Sequence, residues 1–366
     1  MLGCEVIADA IVARGLKRVW CYPGGPIAPL IDALDKRGVS IMVGRTEQGS
    51  AFAAEAEARL TGKTQVCMVT SGPGSTNVAT VVADCFFDSV PVVFIVGQVS
   101  VNDFHRAGQR QRGFQEVDTV GIMTPIAKRV LTCYRASNVD QVISDALFLA
   151  EDGRPGPIVI DLPMNIQKEP ASSSYVPSYS KLYAGDAIVL LSIVERMIAA
   201  ERPVIIAGHG VILANAVSEL RELAHTLQIP VSQSMMGVGA MPSDDPLCLG
   251  FHGHTGNARA GKAIYESDFL LVLGSRLDVR QTGTLPNEFA PNAYIVRADI
   301  DCAELDNSRV PNVFNIRGDV RDVLQRLLRL VKNSGNPIFE TSDAVKQEFF
   351  DANEYRTETK EWLLNG

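Results

Sequence analysis

The stretch Arg45-Thr-Glu-Gln-Gly-Ser-Ala-Phe-Ala-Ala-Glu-Ala-Glu-Ala-Arg59 places one carboxylate, Glu47, between two predicted elements. Residues 39–43 read as a short buried strand, and residues 48–60, rich in Ala and Glu, predict a helix. Glu47 therefore falls at the carboxyl end of a strand, where open α/β sheets bind ligands. A carboxylate there serves as an acid or base in dry surroundings, or only as a favourable charge at a helix N-terminus. This stretch alone leaves both interpretations open.

Helices and strands alternate outward from this stretch, which predicts an α/β fold with two doubly wound parallel sheets covered on both faces. The predicted strands are 19–22, 39–43, 66–70, 92–97, 157–161, 203–207, 231 onward, 269–273 and 294–297. The predicted helices are 5–14, 26–36, 48–60, 77–87, 139–150, 216–227 and 320–331.

A polar stretch with three consecutive serines and two prolines interrupts the alternation after Lys168 and reads as a linker. We therefore expect a first domain at 1–167, a linker at 168–186 and a second domain at 187–335. Residues 336–366 form a polar tail with an amphipathic helix pattern over 342–364.

Composition indicates a globular protein and excludes several classes. The chain has 366 residues, of which 46% are hydrophobic and 21% charged, enough for two full cores. Its net charge of −8 argues against nucleic acid or an anionic membrane as main partner. Neither a transmembrane run nor a basic signal-peptide region is evident, and seven scattered cysteines suit reduced thiols. We expect a cytoplasmic protein.

Several glycine-rich or polar loops follow the strands of the first half. Tyr22-Pro-Gly-Gly-Pro26 contains Gly24 and Gly25, which let backbone approach a ligand. Thr70-Ser-Gly-Pro-Gly-Ser-Thr-Asn77 opens a helix whose free N–H groups suit a polar or anionic group. Gly97-Gln98 follows the fourth strand, and Gly113-Phe-Gln-Glu-Val-Asp118 lies in the loop after it. All but the last are expected at one edge of the sheet. Each alone is also an ordinary turn or helix start.

Together these motifs resemble the pyrimidine-binding domain of thiamine-diphosphate enzymes, most of all the acetolactate synthase large subunit and its relatives. Their order and spacing match the family in YPGG, RTEQGSAFAAEAEAR, TSGPGSTN, DSVPVVFIVGQV, FQEVD and GRPGPIVIDLP. The strings RPVIIAGHG, GSRLDVR and ADIDCAE resemble the family's central Rossmann-like domain. The resemblance covers residues 1 to about 335.

The resemblance implies a role for each matching residue in binding thiamine diphosphate. Glu47 would hydrogen-bond N1′ of the aminopyrimidine and promote loss of the thiazolium C2 proton. Gly25 would lie near C2. The implied contacts on the pyrimidine side are Gly24, Gly25, Glu47, Pro73, Asn77 and Gln98; those on the substrate side are Phe114 and Gln115, with Gln115 also counted as catalytic. For Gly25, Pro73, Asn77, Phe114 and Gln115, packing alone is the alternative.

The chain departs from the family pattern around these residues. Thr46 and Phe52 stand where relatives have histidines, and Glu57 replaces a tyrosine. Residues 101–112 are longer and more basic than the matching loop. Their arginines either bind a carboxylate or phosphate or are merely solvated. The departures leave the substrate open rather than the cofactor.

The second domain raises the question of FAD, which acetolactate synthases hold there and many relatives lack. Gly208-His-Gly210 is only a fragment of a dinucleotide fingerprint. Arg276 and Arg280 could meet a pyrophosphate, and Asp299 and Asp301, at a strand end, a ribose hydroxyl. His252-Gly-His254 lacks partners at metal spacing and is interpreted as structural. No metal site is predicted in this chain.

The family's third domain, with Gly-Asp-Gly and a later Asn that hold Mg²⁺ and the diphosphate, has no counterpart in the sequence. We expect one subunit of a split enzyme, with that domain on a partner chain; a fragment is the alternative. A self-dimer and an α2β2 assembly are implied.

The expected activity is decarboxylation of a 2-keto acid, with pyruvate the first candidate, and transfer of the acyl unit to an acceptor carbonyl. A 2-keto acid decarboxylase or C–C lyase subunit is one alternative. A non-catalytic scaffold or regulatory subunit is another.

Overall fold

A computed structural model describes residues 1–173 and 187–333, and the chain divides into two compact units between Ser180 and Lys181. The predicted tail helix at 342–364 and most of the predicted linker lie outside the described residues. Glu169 and Ala171 pair with the N-terminal segment, through Gly3 N donating to Glu169 O at 3.0 Å and Ala171 N donating to Met1 O at 2.8 Å. The first unit therefore extends past 167, and the limits 167 and 335 stay predictions.

The first unit is a six-stranded sheet in the order β2-β1-β3-β4-β6-β5, with every pair parallel. Its strands are β1 Arg18–Cys21, β2 Ser40–Val43, β3 Gln65–Thr70, β4 Val92–Gln98, β5 Arg129–Thr132 and β6 Ile158–Pro163. Its helices are α1 Gly3–Ala13, α2 Ala28–Asp35, α3 Glu47–Thr61, α4 Pro73–Asp88, α5 Thr119–Met123, α6 Val139–Leu149 and α7 Met164–Lys168.

The second unit is also a six-stranded parallel sheet, but its strands follow a different order, β12-β11-β10-β7-β8-β9. Its strands are β7 Pro203–Ala207, β8 Val231–Gln233, β9 Cys248–Phe251, β10 Phe269–Leu273, β11 Tyr294–Asp299 and β12 Val313–Arg317. Its helices are α8 Ala187–Ala199, α9 His209–Leu213, α10 Val217–Leu227, α11 Ala258–Tyr265, α12 Val279–Thr282, α13 Cys302–Asp306 and α14 Val320–Asn333. The predicted fold class, two doubly wound parallel sheets, is confirmed.

The central strands β3, β4 and β6 are buried along their whole length because helices cover both faces of the sheet. The prediction that 39–43 is a buried strand is wrong. β2 lies at the sheet edge beside β1, so Met42 and Val43 are 38% and 60% exposed. A short stretch with four apolar residues in five does not reveal whether its strand is central or at an edge.

The helix predicted at 77–87 begins four residues earlier, at Pro73. Gly72 makes the turn with φ +63°, and Pro73, whose φ is already helical, starts the helix. Pro73 and Asn77 therefore share one face of the first turns of α4. The strands β5, β9 and β12 were not anticipated.

No described helix combines the length and apolar character needed to span a membrane. The seven cysteines are free thiols, six of them buried.

Candidate functional site

The loops after β1, β3 and β4 meet at the carboxyl edge of the first sheet, where β1 has β2 on one side and β3 on the other. A Cβ at Gly24 would lie 2.5 Å from Thr70 Cβ, and a Cβ at Gly97 would lie 2.7 Å from Ile27 N. These glycines therefore permit close loop contacts. Since chain order reverses across the sheet between β1 and β3, this edge is a topological switch point, the usual ligand site of such folds.

Glu47 occupies the first turn of α3, and Asn77 lies one turn into α4. Asn77 Nδ2 donates to Glu47 Oε2 at 3.0 Å. The two helices pack side by side because α3 presents Ala51, Ala54 and Ala58 to valines of α4. Within the described residues Glu47 Oε1 has no hydrogen-bond partner and Glu47 is only half-buried. One carboxylate oxygen is thus fixed and the other is available.

The start of α3 is tied to the sheet by its own side chains. Thr46 caps the helix by accepting from Gly49 N at 2.9 Å. Ser50 Oγ accepts from Gly44 N at 3.1 Å and donates to Cys21 O at 2.8 Å. The residue that replaces the family's histidine therefore positions the helix that carries Glu47.

The turn after β3 contains polar groups without a hydrogen-bond partner among the described residues. The hydroxyls of Thr70 and Ser71 are buried, and neither has a partner among the described residues. Gly25, on the neighbouring loop, faces open space, since an added Cβ would meet nothing within 4 Å. Orphaned buried hydroxyls beside an open backbone position fit a polar ligand.

Residues 113–118 do not come directly after a strand, yet tertiary packing places them at this edge. A Cβ at Gly72 would lie 2.7 Å from Gln115 O, and both residues have positive φ, +63° and +61°. The neighbouring Phe114 is 85% exposed. Phe114 and Gln115 therefore lie beside the Ser71–Asn77 turn.

Gln98 is buried, and its amide is committed to the fold. Its Nε2 donates to Val117 O at 3.0 Å and lies 3.3 Å from Asp161 Oδ1, while Oε1 accepts from Val99 N at 3.0 Å. Gln98 thus holds the end of the 113–118 loop. Its direct contact with a cofactor stays a prediction without support from this geometry.

Asp161 and Tyr134 were missed from the sequence. Tyr134 Oη donates to Asp161 Oδ2 at 2.9 Å. Burial raises the pKa of Asp161 to about 6, against the opposing effect of its donors. The available signal was a carboxylate inside the apolar strand β6.

Glu116 organises the basic segment that precedes it, a role also missed from the sequence. It accepts from the backbone N–H of His105, Arg112 and Gly113 at 2.7, 2.9 and 3.1 Å, and His105 Nδ1 lies 2.8 Å away. Burial opposes its ionisation, but these donors outweigh burial and lower the pKa of Glu116 to about 2.

A further departure from the family pattern, Glu57, has a local structural role. Glu57 accepts from Trp20 Nε1 at 2.7 Å and lies 3.4 Å from Arg18 Nε. Phe52 is 42% exposed on α3.

The carboxyl edge of the second sheet holds the residues predicted for FAD. Gly208 and Gly210 pack on the backbone of Gly274, which an added Cβ would approach to 2.1 and 2.6 Å. Their lack of side chains is therefore required by the protein itself. Arg276 lies 3.5 Å from Asp278 and is exposed, as is Arg280. Asp299, at the end of β11, accepts from Asp301 N at 3.0 Å.

Arg297 links two segments at this edge, a role that the sequence did not predict. It is fully buried on β11 and donates to Arg276 O at 3.3 Å and Glu304 O at 2.5 Å. Burial lowers its pKa. It joins the loop after β10 to α13.

His252 is buried within a polar cluster of the second sheet. Its Nδ1 lies 2.9 Å from Ser232 Oγ and its Nε2 3.3 Å from Gln281 Oε1, which also accepts from Ser275 Oγ at 2.7 Å. Burial lowers the pKa of His252 to about 4. Among the described residues, no three His, Cys, Asp or Glu side chains are grouped to hold a metal ion.

Two family models match the chain. The model described as the thiamine pyrophosphate enzyme N-terminal TPP binding domain matches residues 1–122. The model of the central domain of thiamine pyrophosphate enzymes matches residues 190–327.

Similar curated proteins are large subunits of acetolactate synthase. The isozyme 1 large subunit of Escherichia coli (strain K12) is 39% identical over 340 residues, which are 90% of this chain and 58% of that protein. The large subunit of Porphyra purpurea is 37% identical over 346 residues, 92% of this chain and 58% of that protein. The probable large subunit of Methanocaldococcus jannaschii is 36% identical over 345 residues, 90% and 57%. The chain thus spans less than three-fifths of these relatives.

Proposed function

Because this chain belongs to the thiamine pyrophosphate enzymes, with their N-terminal TPP binding domain and central domain, we propose that it forms the pyrimidine side of an acetolactate synthase-like active site. The enzyme would decarboxylate a 2-keto acid, with pyruvate the first candidate, and transfer the acyl unit to an acceptor carbonyl. Thiamine diphosphate, when bound, supplies the electron sink for this chemistry.

The observation that carries the proposal is the half-satisfied carboxylate of Glu47. Asn77 holds Oε2, and Oε1 has no hydrogen-bond partner within the described residues. A carboxylate oxygen held there can accept a hydrogen bond from a ring nitrogen and hold a proton at that atom. The open space at Gly25 and the unpaired hydroxyls of Thr70 and Ser71 fit a polar heterocycle beside it.

Phe114 and Gln115 are proposed to line the substrate side, because Gly72 brings their loop onto the same turn. An exposed aromatic ring there would shield the reacting atoms from water once substrate binds. Simple decarboxylation or C–C cleavage would use the same residues and differ only in whether an acceptor is bound. A scaffold subunit would not need the paired Glu47 and Asn77.

The diphosphate and its Mg²⁺ would be held by a further domain that completes this site. We propose that it lies on a partner subunit, and that a self-dimer makes the assembly α2β2. Size-exclusion chromatography with light scattering, after co-expression with candidate partners containing Gly-Asp-Gly, tests this. A chain that stays monomeric with every candidate and still turns over a keto acid alone would contradict it.

In the central domain, we propose that Arg276, Arg280 and Asp299, which lie at one sheet edge, bind FAD. Gly208 and Gly210 do not support this proposal, because their packing on Gly274 already requires glycine at both positions. Flavin absorbance after reconstitution and gel filtration tests it. We expect the wild type to retain flavin and the Arg280→Gln variant to lose it. Absence of flavin from the wild type would contradict the proposal.

Glu47→Gln tests the proposed mechanism. Glutamine keeps the shape but cannot stabilise a protonated ring nitrogen, so thiamine-dependent kcat should fall by about 10²–10⁴. The assay uses the chain assembled with its diphosphate-binding domain, with circular dichroism to verify folding. Glu57→Gln, on the same helix but bonded to Trp20, is the matched control and should retain activity. Unchanged kcat in Glu47→Gln would refute the mechanism.

Product analysis then separates the alternatives. Carboligation yields a hydroxyketone, whereas simple decarboxylation yields a free aldehyde. We expect the hydroxyketone when an acceptor carbonyl is supplied.

A further inference from the structure

Residues 104–116, called here the basic loop, concentrate positive charge in an acidic protein. They contain His105, Arg106, Arg110 and Arg112 and no acidic residue before Glu116, whereas the chain has a net charge of −8.

The basic loop is fixed to the fold at both ends. At its start, the Phe104 ring packs edge-on against Tyr134 with ring centroids 5.3 Å apart, and Tyr134 is bonded to the buried Asp161. At its end, Glu116 accepts three backbone N–H groups of the loop. The arginines therefore extend from a backbone with defined anchors.

The one carboxylate of the basic loop faces inward, toward these N–H donors and His105, and does not neutralise the arginines. Arg106, Arg110 and Arg112 are exposed, and within residues 1–173 and 187–333 their side chains form no ion pair. Clustered cations of one sign repel each other and raise the local potential for an anion. An ordered loop that maintains this arrangement suits anion binding better than mere solvation.

The position of the basic loop relates it to the reaction. Its Gln115 carbonyl is in contact with the Gly72 turn, which opens the helix carrying Asn77, the partner of Glu47. Arg112 N donates to Glu116, the residue after Gln115, so the end of the basic loop lies beside this turn.

We propose that Arg106, Arg110 and Arg112 bind a second anionic group of the acceptor substrate, a carboxylate or a phosphate on the side away from its reacting carbonyl. This rests on the proposed function. Guanidinium groups match both anions with paired, charge-assisted hydrogen bonds. The acceptor would then be a dianion rather than a simple keto acid such as pyruvate.

The proposal can be tested without turnover by measuring equilibrium binding of small anionic probes to the full chain, with NMR as the readout at low ionic strength. The probes are 2-oxoglutarate for a second carboxylate, glycerol 3-phosphate for a phosphate, and pyruvate as reference. We expect at least one dianionic probe to bind more tightly than pyruvate, and the preferred one identifies the anion. The triple variant R106Q/R110Q/R112Q should weaken that binding by about tenfold or more.

The variant R129Q/R317Q/R329Q removes the same charge from exposed arginines elsewhere and should keep the preference. Equal binding of all three probes by the wild type, or equal losses in both triple variants, would overturn the proposal. So would a basic-loop variant that binds the probes normally but no longer assembles with its partner, since the loop would then contact a protein.

A kinetic measurement on the assembled enzyme distinguishes failure of this inference from failure of the proposed function. The basic-loop variant should raise KM for a dianionic acceptor more than it lowers kcat. Absence of any thiamine-dependent turnover, with the arginine-dependent dianion preference intact, would refute the proposed function alone.

Discussion

The carboxyl edges of the two sheets, which differ in strand order, also differ in how several of their polar groups are bonded. At the first edge Glu47 has a free oxygen, Thr70 and Ser71 have unpaired hydroxyls, and Gly25 faces open space. At the second edge His252 bonds to Ser232 and Gln281, Gln281 also accepts from Ser275, and Gly208 and Gly210 pack on backbone, while Arg297 Nε is buried without a partner among the described residues.

This difference distinguishes polar groups that are available to a ligand from polar groups that stabilise the protein itself. Polar groups that the fold itself does not satisfy cost stability and persist where a ligand satisfies them. Satisfied networks instead fix loop positions. The first edge is therefore the better candidate for catalysis, and the second for a structural or binding role.

Alanine substitution at matched glycines should break the contrast most strongly. Gly208→Ala places a Cβ 2.1 Å from Gly274 O, which is backbone and cannot rotate away. The free energy of unfolding of the second unit should fall by about 3 kcal/mol. Gly25→Ala meets nothing within 4 Å and should leave stability unchanged while lowering thiamine-dependent activity.

Differential scanning calorimetry measures the two glycine variants, and the activity assay completes the comparison. Loss of stability in Gly25→Ala, or none in Gly208→Ala, would show that the two edges do not differ as described.

The two units should also respond oppositely to mild acid. Burial lowers the pKa of His252 to about 4, below its unfolded value, so the second unit loses stability as pH falls from about 6.5 toward 4. Burial raises the pKa of Asp161 to about 6 and also raises that of Glu55, so the first unit gains stability over the same range.

At pH 5 the His252 contribution should have cost the second unit about 2 kcal/mol. Calorimetry between pH 7 and 5 should move the transitions of the two units in opposite directions. His252→Asn should remove the pH dependence of the second unit whatever its stability at pH 7. Parallel shifts of both transitions in the wild type would count against these assignments.

Asn77→Ala should have the smallest effect of these substitutions. The lost bond is at the surface, so the free energy of unfolding should change by less than about 0.5 kcal/mol. The Glu47 carboxylate would lose its fixed direction, and kcat should fall about tenfold, the equivalent of ~1.4 kcal/mol. Steady-state kinetics beside urea unfolding distinguishes the effects; a stability loss with unchanged kcat would mean that Asn77 is only structural.

The sequence determined the fold class and the principal candidate residue by itself. Alternating apolar strands and amphipathic helices force a parallel sheet, because each helix must cover a sheet face. The strand-to-helix junction at Glu47 then follows, since loops after parallel strands collect at one edge. Pattern alone failed for β2, whose exposure depends on its place at the edge of the sheet.

Only the tertiary structure decided which polar groups are free. Gln98 matched the family as a cofactor contact, yet its amide is bonded to Val117 and Asp161, residues 19 and 63 positions away. Glu116 appears in the sequence only as part of the FQEVD motif. In the structure it anchors the basic loop by accepting from backbone N–H groups, which no sequence pattern identifies. Sequence specifies which donors and acceptors exist; folding brings distant ones within about 3 Å and so determines which remain available for a ligand.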